Sequence, residues 1–162
     1  SRPYWIEEPF MPDDYAKYRR LAANVDIPIA AGEEETTVAD FERLVEQGDV
    51  EIVQPDVTRA GGIAECVRIA ELARRRGRRC VTHSWSTGII KAASLHVLAV
   101  TEEAELFEYC VQETELNRQL VSQRWPLRDG EVEIPTRPGL GVDLDEEVLA
   151  RCQVTAGTAG RA

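Results

Sequence analysis

Five side chains that can bind a metal ion or transfer a proton recur at a regular interval along this chain. They are four carboxylates and one imidazole: Glu7, Glu33, Asp56, His83 and Glu108. The intervals between them are 26, 23, 27 and 25 residues, the length of one strand, one helix and their turns. Polar groups at the carboxyl ends of consecutive parallel strands form the active sites of (β/α)-barrels. The spacing therefore predicts one shared site built from five strand ends.

Two of the carboxylates, Glu7 and Glu33, are expected at neighbouring strand ends. Carboxylates that face each other repel, and one of them takes up a proton unless a cation lies between them. Hard oxygen ligands of this kind favour Mg²⁺, which keeps several waters and also binds substrate oxygens. We therefore expect Mg²⁺ as the cofactor, with a third ligand from a preceding strand that is not part of this chain.

The next two groups, Asp56 and His83, have the composition of an acid–base pair. A carboxylate bonded to one imidazole nitrogen fixes the tautomer and raises the basicity of the other nitrogen. Such an imidazole is suited to general acid–base catalysis near neutral pH. Glu108 could be a second acid or a hydrogen-bond donor to a developing oxyanion. Taken singly, each group also has an ordinary structural interpretation, and it is their joint placement that favours chemistry.

The elements that must position these side chains alternate between strand-like and helix-like patterns. Short apolar runs end at the five groups, and stretches with an apolar period of 3.6 residues follow them. Side chains at i and i+2 share one face of a strand, so Ala31 is expected on the face of Glu33, and Val81 on the face of His83. The expected strands are 4–7, 28–33, 52–56, 80–83 and 105–108, and the expected helices begin near residues 15, 38, 63, 89 and 113.

This alternation predicts an α/β fold, a partial (β/α)-barrel of about five βα units over residues 1–124. A closed eight-stranded barrel usually takes roughly 250 residues. The chain has 162 residues and begins at Ser1, so we expect it to be the C-terminal fragment of a longer protein.

The remaining residues have a different pattern. Residues 125–154 are expected to form a C-terminal return segment that contains a hairpin with Asp129-Gly130 as its turn. A short helix is expected over 145–151. Residues 155–162 are small and polar, and we expect a disordered tail there.

Charge and cysteine usage restrict the partners and the compartment. The net charge of −10 argues against a nucleic-acid surface, which needs a basic patch. No apolar run is long enough to cross a bilayer, so no membrane partner is expected. The four cysteines form no C-x-x-C pair, which favours reduced thiols and a reducing compartment, and we expect a cytoplasmic protein.

Several short motifs resemble those of the enolase superfamily, specifically its mandelate racemase branch and the C-terminal barrel domain of mandelate racemase and muconate lactonizing enzymes. The resemblance covers about residues 3–151, with the motifs in the family's order and spacing. The motifs are Trp5-Ile6-Glu7-Glu8-Pro9, Gly32-Glu33, Gln54-Pro55-Asp56, Arg59-Ala60-Gly61-Gly62, Thr82-His83-Ser84, Leu106-Phe107-Glu108 and Pro138-Gly139-Leu140-Gly141-Val142.

The resemblance implies a role for each of these groups. It makes Glu7 and Glu33 the second and third Mg²⁺ ligands and places the five strands as the fourth to eighth of the family barrel. Asp56 and His83 become the dyad on the sixth and seventh strands. Glu108 becomes the eighth-strand acid that contacts the substrate carboxylate.

One further residue, Arg59, stands where the branch often has a basic residue, and the resemblance implies that it helps to bind the substrate. Three parts of the family pattern have no counterpart in this chain. They are the capping domain, the lysine motif of the second strand and the carboxylate ligand of the third strand.

The resemblance implies that the parent protein is a Mg²⁺-dependent enzyme that removes the proton α to a carboxylate and stabilises the resulting enediolate. We expect dehydration of a sugar acid to a 2-keto-3-deoxy acid, with a small carboxylate as the partner molecule. A racemase or epimerase of a 2-hydroxy acid is the alternative, because it would use the same dyad.

A third alternative is a structural half-barrel that is inert by itself. A five-stranded segment has two open edges, and its inward apolar side chains, such as Trp5, Ile29, Ile52 and Val81, would be uncovered. We therefore expect the isolated chain to be inactive and to associate as a homo-oligomer.

Overall fold

The computed structural model describes residues 2–102, 104–112 and 114–154. Its centre is a parallel sheet of four short strands in the order β1-β2-β3-β4. Chain order equals spatial order, and a helix follows each strand, as in consecutive units of a (β/α)-barrel. The predicted α/β class is confirmed. The strands are β1 (Ile6–Glu7), β2 (Ile29–Ala31), β3 (Ile52–Val53) and β4 (Arg79–Cys80).

Within the described ranges, six helices surround and follow this sheet. Side-chain caps start several of them: Asp14 accepts a hydrogen bond from the first turn of α1, and Thr37 forms a capping box with Asp40 at α2. The first four helices begin where the sequence predicts them. The helices are α1 (Tyr15–Ala22), α2 (Val38–Glu46), α3 (Ile63–Arg75), α4 (Gly88–Ala99), α5 (Glu115–Arg118) and α6 (Glu146–Cys152).

The two faces of the sheet are buried in different cores. The larger core fills the space between the sheet and the helices, and includes Tyr18, Phe41, Leu44 and Ile69. A smaller cluster on the inner face consists of Ala30, Ile52 and Val81, with Trp5 packed partly against it. The expectation that Ile29, Ile52 and Val81 are uncovered is therefore wrong, because Ile52 and Val81 pack on the inner side chains of adjacent strands and Ile29 lies in the larger core.

The predicted alternation in β2 is wrong by one residue. Ala30 lies in the inner cluster, whereas Ile29 and Ala31 face the helices. The cause is Gly32, whose φ of 134° interrupts the regular extended backbone before Glu33. A Cβ atom at Gly32 would lie 2.6 Å from Cε1 of Phe41. Glycine at this position therefore permits both the bend and the close packing of α2.

The predicted strand over 105–108 does not form, and residues 104–112 have no regular secondary structure. At this edge a strand would gain ladder hydrogen bonds from β4 alone, whereas β2 and β3 have a partner on each side. The expected helix after it is reduced to the four residues of α5.

The return segment is more irregular than expected. The predicted hairpin is limited to one antiparallel bridge between Arg128 and Glu131. Its turn is placed correctly, because Asp129 and Gly130 have φ angles of 54° and 83°. The predicted last helix is confirmed as α6, and a bridge between Val121 and Leu144 ties it to α5. The division of the chain between residues 124 and 125 stays a prediction.

Two expectations concern the rest of the chain. The predicted disordered tail, 155–162, lies outside the described residues. Within the described ranges, the helices are all too short or too polar to span a membrane. All four cysteines are free, as predicted, and three of them are buried.

Candidate active site

The ends of β3 and β4 bring Asp56 and His83 together. The two residues form a parallel backbone bridge beyond the regular strands. Their side chains also meet, with Nδ1 of His83 2.7 Å from Oδ2 of Asp56. An ionised carboxylate can only accept hydrogen bonds, so Nδ1 carries the proton and Nε2 is the nitrogen that can exchange one.

Asp56 is itself held on its other oxygen. Oδ1 accepts hydrogen bonds from the backbone N–H of Thr58 at 2.7 Å and from its hydroxyl at 2.6 Å. The side chain is almost fully buried. Burial acts to raise the pKa of Asp56, but the hydrogen bonds from His83 and Thr58 outweigh it and hold that pKa below its ordinary value. Asp56 is therefore a fixed anion beneath the imidazole.

The free nitrogen of His83 lies next to a second carboxylate. Nε2 is 3.5 Å from Oε2 of Glu33. Burial acts to lower the pKa of His83, yet the hydrogen bond that it donates to Asp56 and the charges of Glu108 and Glu33 together raise that pKa above its ordinary value. The imidazole is therefore placed to hold a proton between the carboxyl ends of β2 and β4, which lie on either side of β3.

Glu108 also lies beside His83 in this site, although it is not part of a strand. Its Oε2 accepts a hydrogen bond from the backbone N–H of Ser84 at 2.9 Å, directly after His83. Burial raises the pKa of Glu108, helped by the charges of Glu7 and Asp56, and the Ser84 N–H and His83 offset this only in part. A carboxyl group in such surroundings is more easily protonated than usual, and it could donate a hydrogen bond.

Glu7 is positioned by two donors that sequence reasoning did not assign. Its Oε2 accepts hydrogen bonds from Nε1 of Trp5 at 2.9 Å and from Nε2 of Gln54 at 2.7 Å. Gln54 is buried, and it lies two residues before Asp56 on the same face of the chain. In the sequence, Gln54 and Asp56 are two residues apart and therefore share one face of the chain, which is the feature that could have indicated this contact. The Asp-x-Thr spacing could likewise have indicated the contact of Thr58 with Asp56, since aspartate side chains often accept a hydrogen bond from the backbone two residues further on.

The donor chemistry of this group fits a hard divalent cation in part. Burial raises the pKa of Glu33, and the charges of Glu108, Glu7 and Glu34 raise it further, while His83 lowers it. A cation would offset this repulsion, and the carboxylate oxygens of Glu7 and Glu33 are the ligands that Mg²⁺ prefers. Across residues 2–102, 104–112 and 114–154, no group of three or more His, Cys, Asp or Glu side chains is arranged to hold a metal.

Arg59 does not contact the dyad in this structure. Its guanidinium forms a two-pronged salt bridge with Glu34, with N–O distances of 3.1 and 2.7 Å. Both side chains are more than a third exposed, so the pair is held weakly by comparison with buried charges. The family resemblance implies that Arg59 binds the substrate, and that role stays a prediction.

The second glutamate of the Glu7-Glu8-Pro9 motif has a structural task. Glu8 adopts a φ of 37° at the end of β1, and its Oε1 accepts a hydrogen bond from the backbone N–H of Gly32 at 3.2 Å. This contact links the ends of β1 and β2 at Gly32, the residue directly before Glu33. Sequence reasoning gave Glu8 no role.

The order and register of the strands, with acidic groups and a histidine at their carboxyl ends, define a segment of a (β/α)-barrel. A family model described as enolase C-terminal domain-like matches residues 1–148. The chain belongs to this family, as the resemblance predicts.

The proteins to which this chain is similar include a dehydratase and a cycloisomerase. The D-galactonate dehydratase of Ralstonia pickettii (strain 12J) is 40% identical over 154 residues, which is 91% of this chain and 40% of the relative. Among solved structures, the 3,6-anhydro-D-galactonate cycloisomerase from Zobellia galactanivorans is 38% identical, with a TM-score of 0.85 over 91% of this chain and 42% of that one. A member of the enolase superfamily from Polaromonas sp. JS666 is also 38% identical, with a TM-score of 0.88 over 97% of this chain and 42% of that one. The chain thus spans about two fifths of the length of these relatives.

Proposed function

We propose that the whole protein dehydrates a sugar acid to a 2-keto-3-deoxy acid, and that this chain supplies the proton-transfer half of its site. The observation that carries the proposal is the orientation of His83, with Nδ1 fixed by Asp56 and Nε2 turned toward Glu33. The dehydratase name of the relative from Ralstonia pickettii supports the choice of reaction.

The elimination of water needs two proton transfers, and the ketonisation that follows protonates C3. Removal of the proton α to the carboxylate gives an enediolate, and protonation of the 3-hydroxyl lets it leave as water with the C–O bonding electrons. The resulting enol tautomerises to the 2-keto acid. Neutral His83 can accept a proton at Nε2, and protonated His83 can donate one from the same atom. His83 can therefore serve either step, with Asp56 keeping its ring in one orientation.

The carboxylates would divide two further tasks. Glu108, whose pKa is raised chiefly by burial, could donate a hydrogen bond to the substrate carboxylate as negative charge develops there. Glu7 and Glu33 would hold Mg²⁺ together with ligands from the rest of the protein. When bound, the ion supplies positive charge that stabilises anionic oxygens of the substrate.

Isomerisation is the second candidate function. The solved cycloisomerase, with 38% identity and a TM-score of 0.85, is nearly as similar to this chain in sequence as the D-galactonate dehydratase of Ralstonia pickettii, with 40% identity. A racemase or epimerase would use the same dyad and the same enediolate. None of these isomerisations releases water, so the mass of the product separates them from dehydration.

The experiment requires the full-length protein with Mg²⁺ and a panel of sugar acids that includes D-galactonate and 3,6-anhydro-D-galactonate. Product mass and a colorimetric test for 2-keto-3-deoxy acids are recorded together. Loss of one water with a positive test supports dehydration. An unchanged mass with a new chromatographic peak would establish isomerisation instead, and no turnover of any sugar acid would contradict the proposal.

Solvent exchange then assigns the step that His83 performs. In deuterated water, a His83→Asn variant that still exchanges the α-proton would have another base for that step and would leave His83 as the acid. A variant that no longer exchanges it would make His83 the base.

A further inference from the structure

The segments that follow the strand ends carry a single lysine or arginine side chain, that of Arg59. These segments form the rim of the candidate active site, and they are residues 8–14, 32–37, 54–62, 81–87 and 104–112. The other charged side chains of the rim are acidic, apart from His83 when it is protonated. Arg59 is therefore the one permanent cation that these segments offer to an incoming sugar acid.

The backbone of Arg59 is fixed to the dyad, although its guanidinium does not reach the imidazole. The N–H of Arg59 donates a hydrogen bond to the carbonyl oxygen of Asp56 at 3.1 Å, and the N–H of Ala60 donates to the same oxygen at 2.8 Å. The side chain of Asp56 holds the next part of this turn through Thr58. Arg59 thus extends from a turn that begins at the residue orienting His83.

The side chain of Arg59 is fixed by the segment that carries a proposed metal ligand. Nη1 lies 3.1 Å from Oε1 of Glu34, and Nη2 lies 2.7 Å from Oε2. Two parallel hydrogen bonds of this kind set the plane of the guanidinium as well as its position. Glu34 directly follows Glu33, so the pair connects the end of β3 with the end of β2.

A second pair in the chain has the same geometry and a different setting. Nε and Nη2 of Arg74 lie 2.8 and 2.9 Å from the two carboxylate oxygens of Glu71. Those residues are three positions apart on α3, whereas Glu34 and Arg59 are 25 positions apart and join two segments of the rim. Exposed pairs contribute little to stability. The main consequence of the Glu34 contact is therefore the position of the guanidinium.

The paired groups can still bind a ligand. A guanidinium has five N–H donors, and the contact with Glu34 uses two of them. Within the part of the chain that the structure describes, the Arg59 guanidinium has no other acceptor. The side chains are 44% and 41% exposed, so a solute can reach both. Since Glu34 already offsets the charge, the remaining donors favour neutral hydroxyl groups, and the carboxylate oxygens can accept hydrogen bonds from hydroxyls.

We infer that the Arg59–Glu34 pair binds hydroxyl groups of the sugar acid beyond C3, with Glu34 as the positioning residue that holds the guanidinium at the rim. The inference rests on the proposed function, because it concerns the part of that substrate farthest from its carboxylate. The pair would distinguish sugar acids from short 2-hydroxy acids, which lack these hydroxyl groups.

Steady-state kinetics of the full-length protein with Mg²⁺ test this role, using the sugar acid that the panel identifies as the best substrate. Glu34→Gln should raise KM about tenfold, the factor expected from one hydrogen bond to a charged group, and should leave kcat within about twofold. Glu71→Gln is the matched control and should change neither constant. An unchanged KM in a folded Glu34→Gln variant would overturn the inference.

A double-mutant cycle tests whether Glu34 acts through the guanidinium. Arg59→Met should raise KM at least about tenfold, and adding Glu34→Gln to it should have no further effect. Independent effects of the two substitutions would contradict the positioning role.

Ligand length provides a further comparison. Calorimetric titration in a His83→Asn background, which prevents consumption of the ligand, compares D-galactonate with D-glycerate. Glu34→Gln should weaken binding of D-galactonate about tenfold and leave D-glycerate unaffected, because D-glycerate has no hydroxyl beyond C3. Equal weakening of both ligands would contradict recognition of the distal hydroxyl groups.

These measurements separate the inference from the proposed function. Turnover of a sugar acid with the same KM in Glu34→Gln would overturn the inference alone. Binding of D-galactonate that depends on Glu34, without turnover of any sugar acid, would support the inference and contradict the proposed function. A full-length protein that binds no sugar acid would contradict both. Circular dichroism verifies that each variant is folded.

Discussion

Oδ2 of Asp56 and Nδ1 of His83 lie 2.7 Å apart, and the backbones of the same two residues form a parallel bridge. The orientation of the imidazole is therefore fixed twice, by the sheet that positions both residues and by the hydrogen bond between them. A ring restrained in this way presents Nε2 in one direction, which is what repeated proton transfer at a single atom requires.

Asp56→Asn should lower turnover of the whole protein by orders of magnitude. An asparagine amide can leave the ring in the wrong tautomer, and the equivalent change in a serine protease costs on the order of 10⁴ in kcat. Steady-state kinetics measure the effect. Thr58→Val is the comparison, because it removes only the 2.6 Å hydrogen bond to Oδ1 and should cost roughly tenfold or less. A smaller loss for Asp56→Asn than for Thr58→Val would contradict this role.

Glu33→Gln should weaken Mg²⁺ binding to the full-length protein at least about tenfold, since even residues that only support a ligand change affinity by about 10–100-fold. Titration calorimetry in the absence of substrate provides the measurement. The neighbouring change Glu34→Gln is a matched control, because Glu34 pairs with Arg59 at the surface. If both variants bind Mg²⁺ like the wild type, Glu33 is not a ligand.

Gly32→Ala should destabilise the chain more than Gly62→Ala does. Both glycines have positive φ, 134° and 94°, so either substitution strains the backbone by about 1–3 kcal/mol. Only at Gly32 would the new Cβ also meet Phe41, at 2.6 Å, and overpacking adds roughly 1–3 kcal/mol. Urea unfolding of the two variants measures the difference. Equal losses of unfolding free energy would show that Phe41 moves away from the new Cβ at no cost.

The isolated chain should be catalytically inactive and should self-associate. It contains only two of the carboxylates proposed to hold the metal, and it spans about two fifths of the length of its relatives. The outer edge of β1 has no partner strand among the described residues, and open edges favour association. Light scattering and a sugar-acid assay on one preparation test both statements. A monodisperse monomer that turns over substrate would contradict the prediction.

Much of the fold could be predicted because short buried strands and amphipathic helices alternate clearly. The tips of the first four strands follow from that alternation. The face of Ala31 could not be predicted, because a single positive φ at Gly32 changes the alternation without changing the apolar pattern.

Two further features depend on neighbours that the local sequence does not specify. Residues 105–108 have the composition of a strand, but whether they pair is decided by the partners at the sheet edge. Lys91 is buried because residues 109–112 and 114–126 pack beside α4, and no local pattern indicates its burial. In the candidate active site, strand parity places Glu7, Asp56 and His83 on one face, whereas it fails in β2 before Glu33 and does not apply to Glu108, which no strand carries.

The most direct test of the account is the activity of His83→Asn in the full-length protein. Turnover of the sugar-acid substrate should fall by about 10²–10⁴-fold, the range expected for loss of a general acid–base group, while Mg²⁺ affinity stays unchanged. His96, the other histidine of the chain, contacts the carbonyl oxygen of Leu140 from α4, and His96→Asn should retain turnover. Full activity of a folded His83→Asn variant would contradict the assignment of proton transfer to His83.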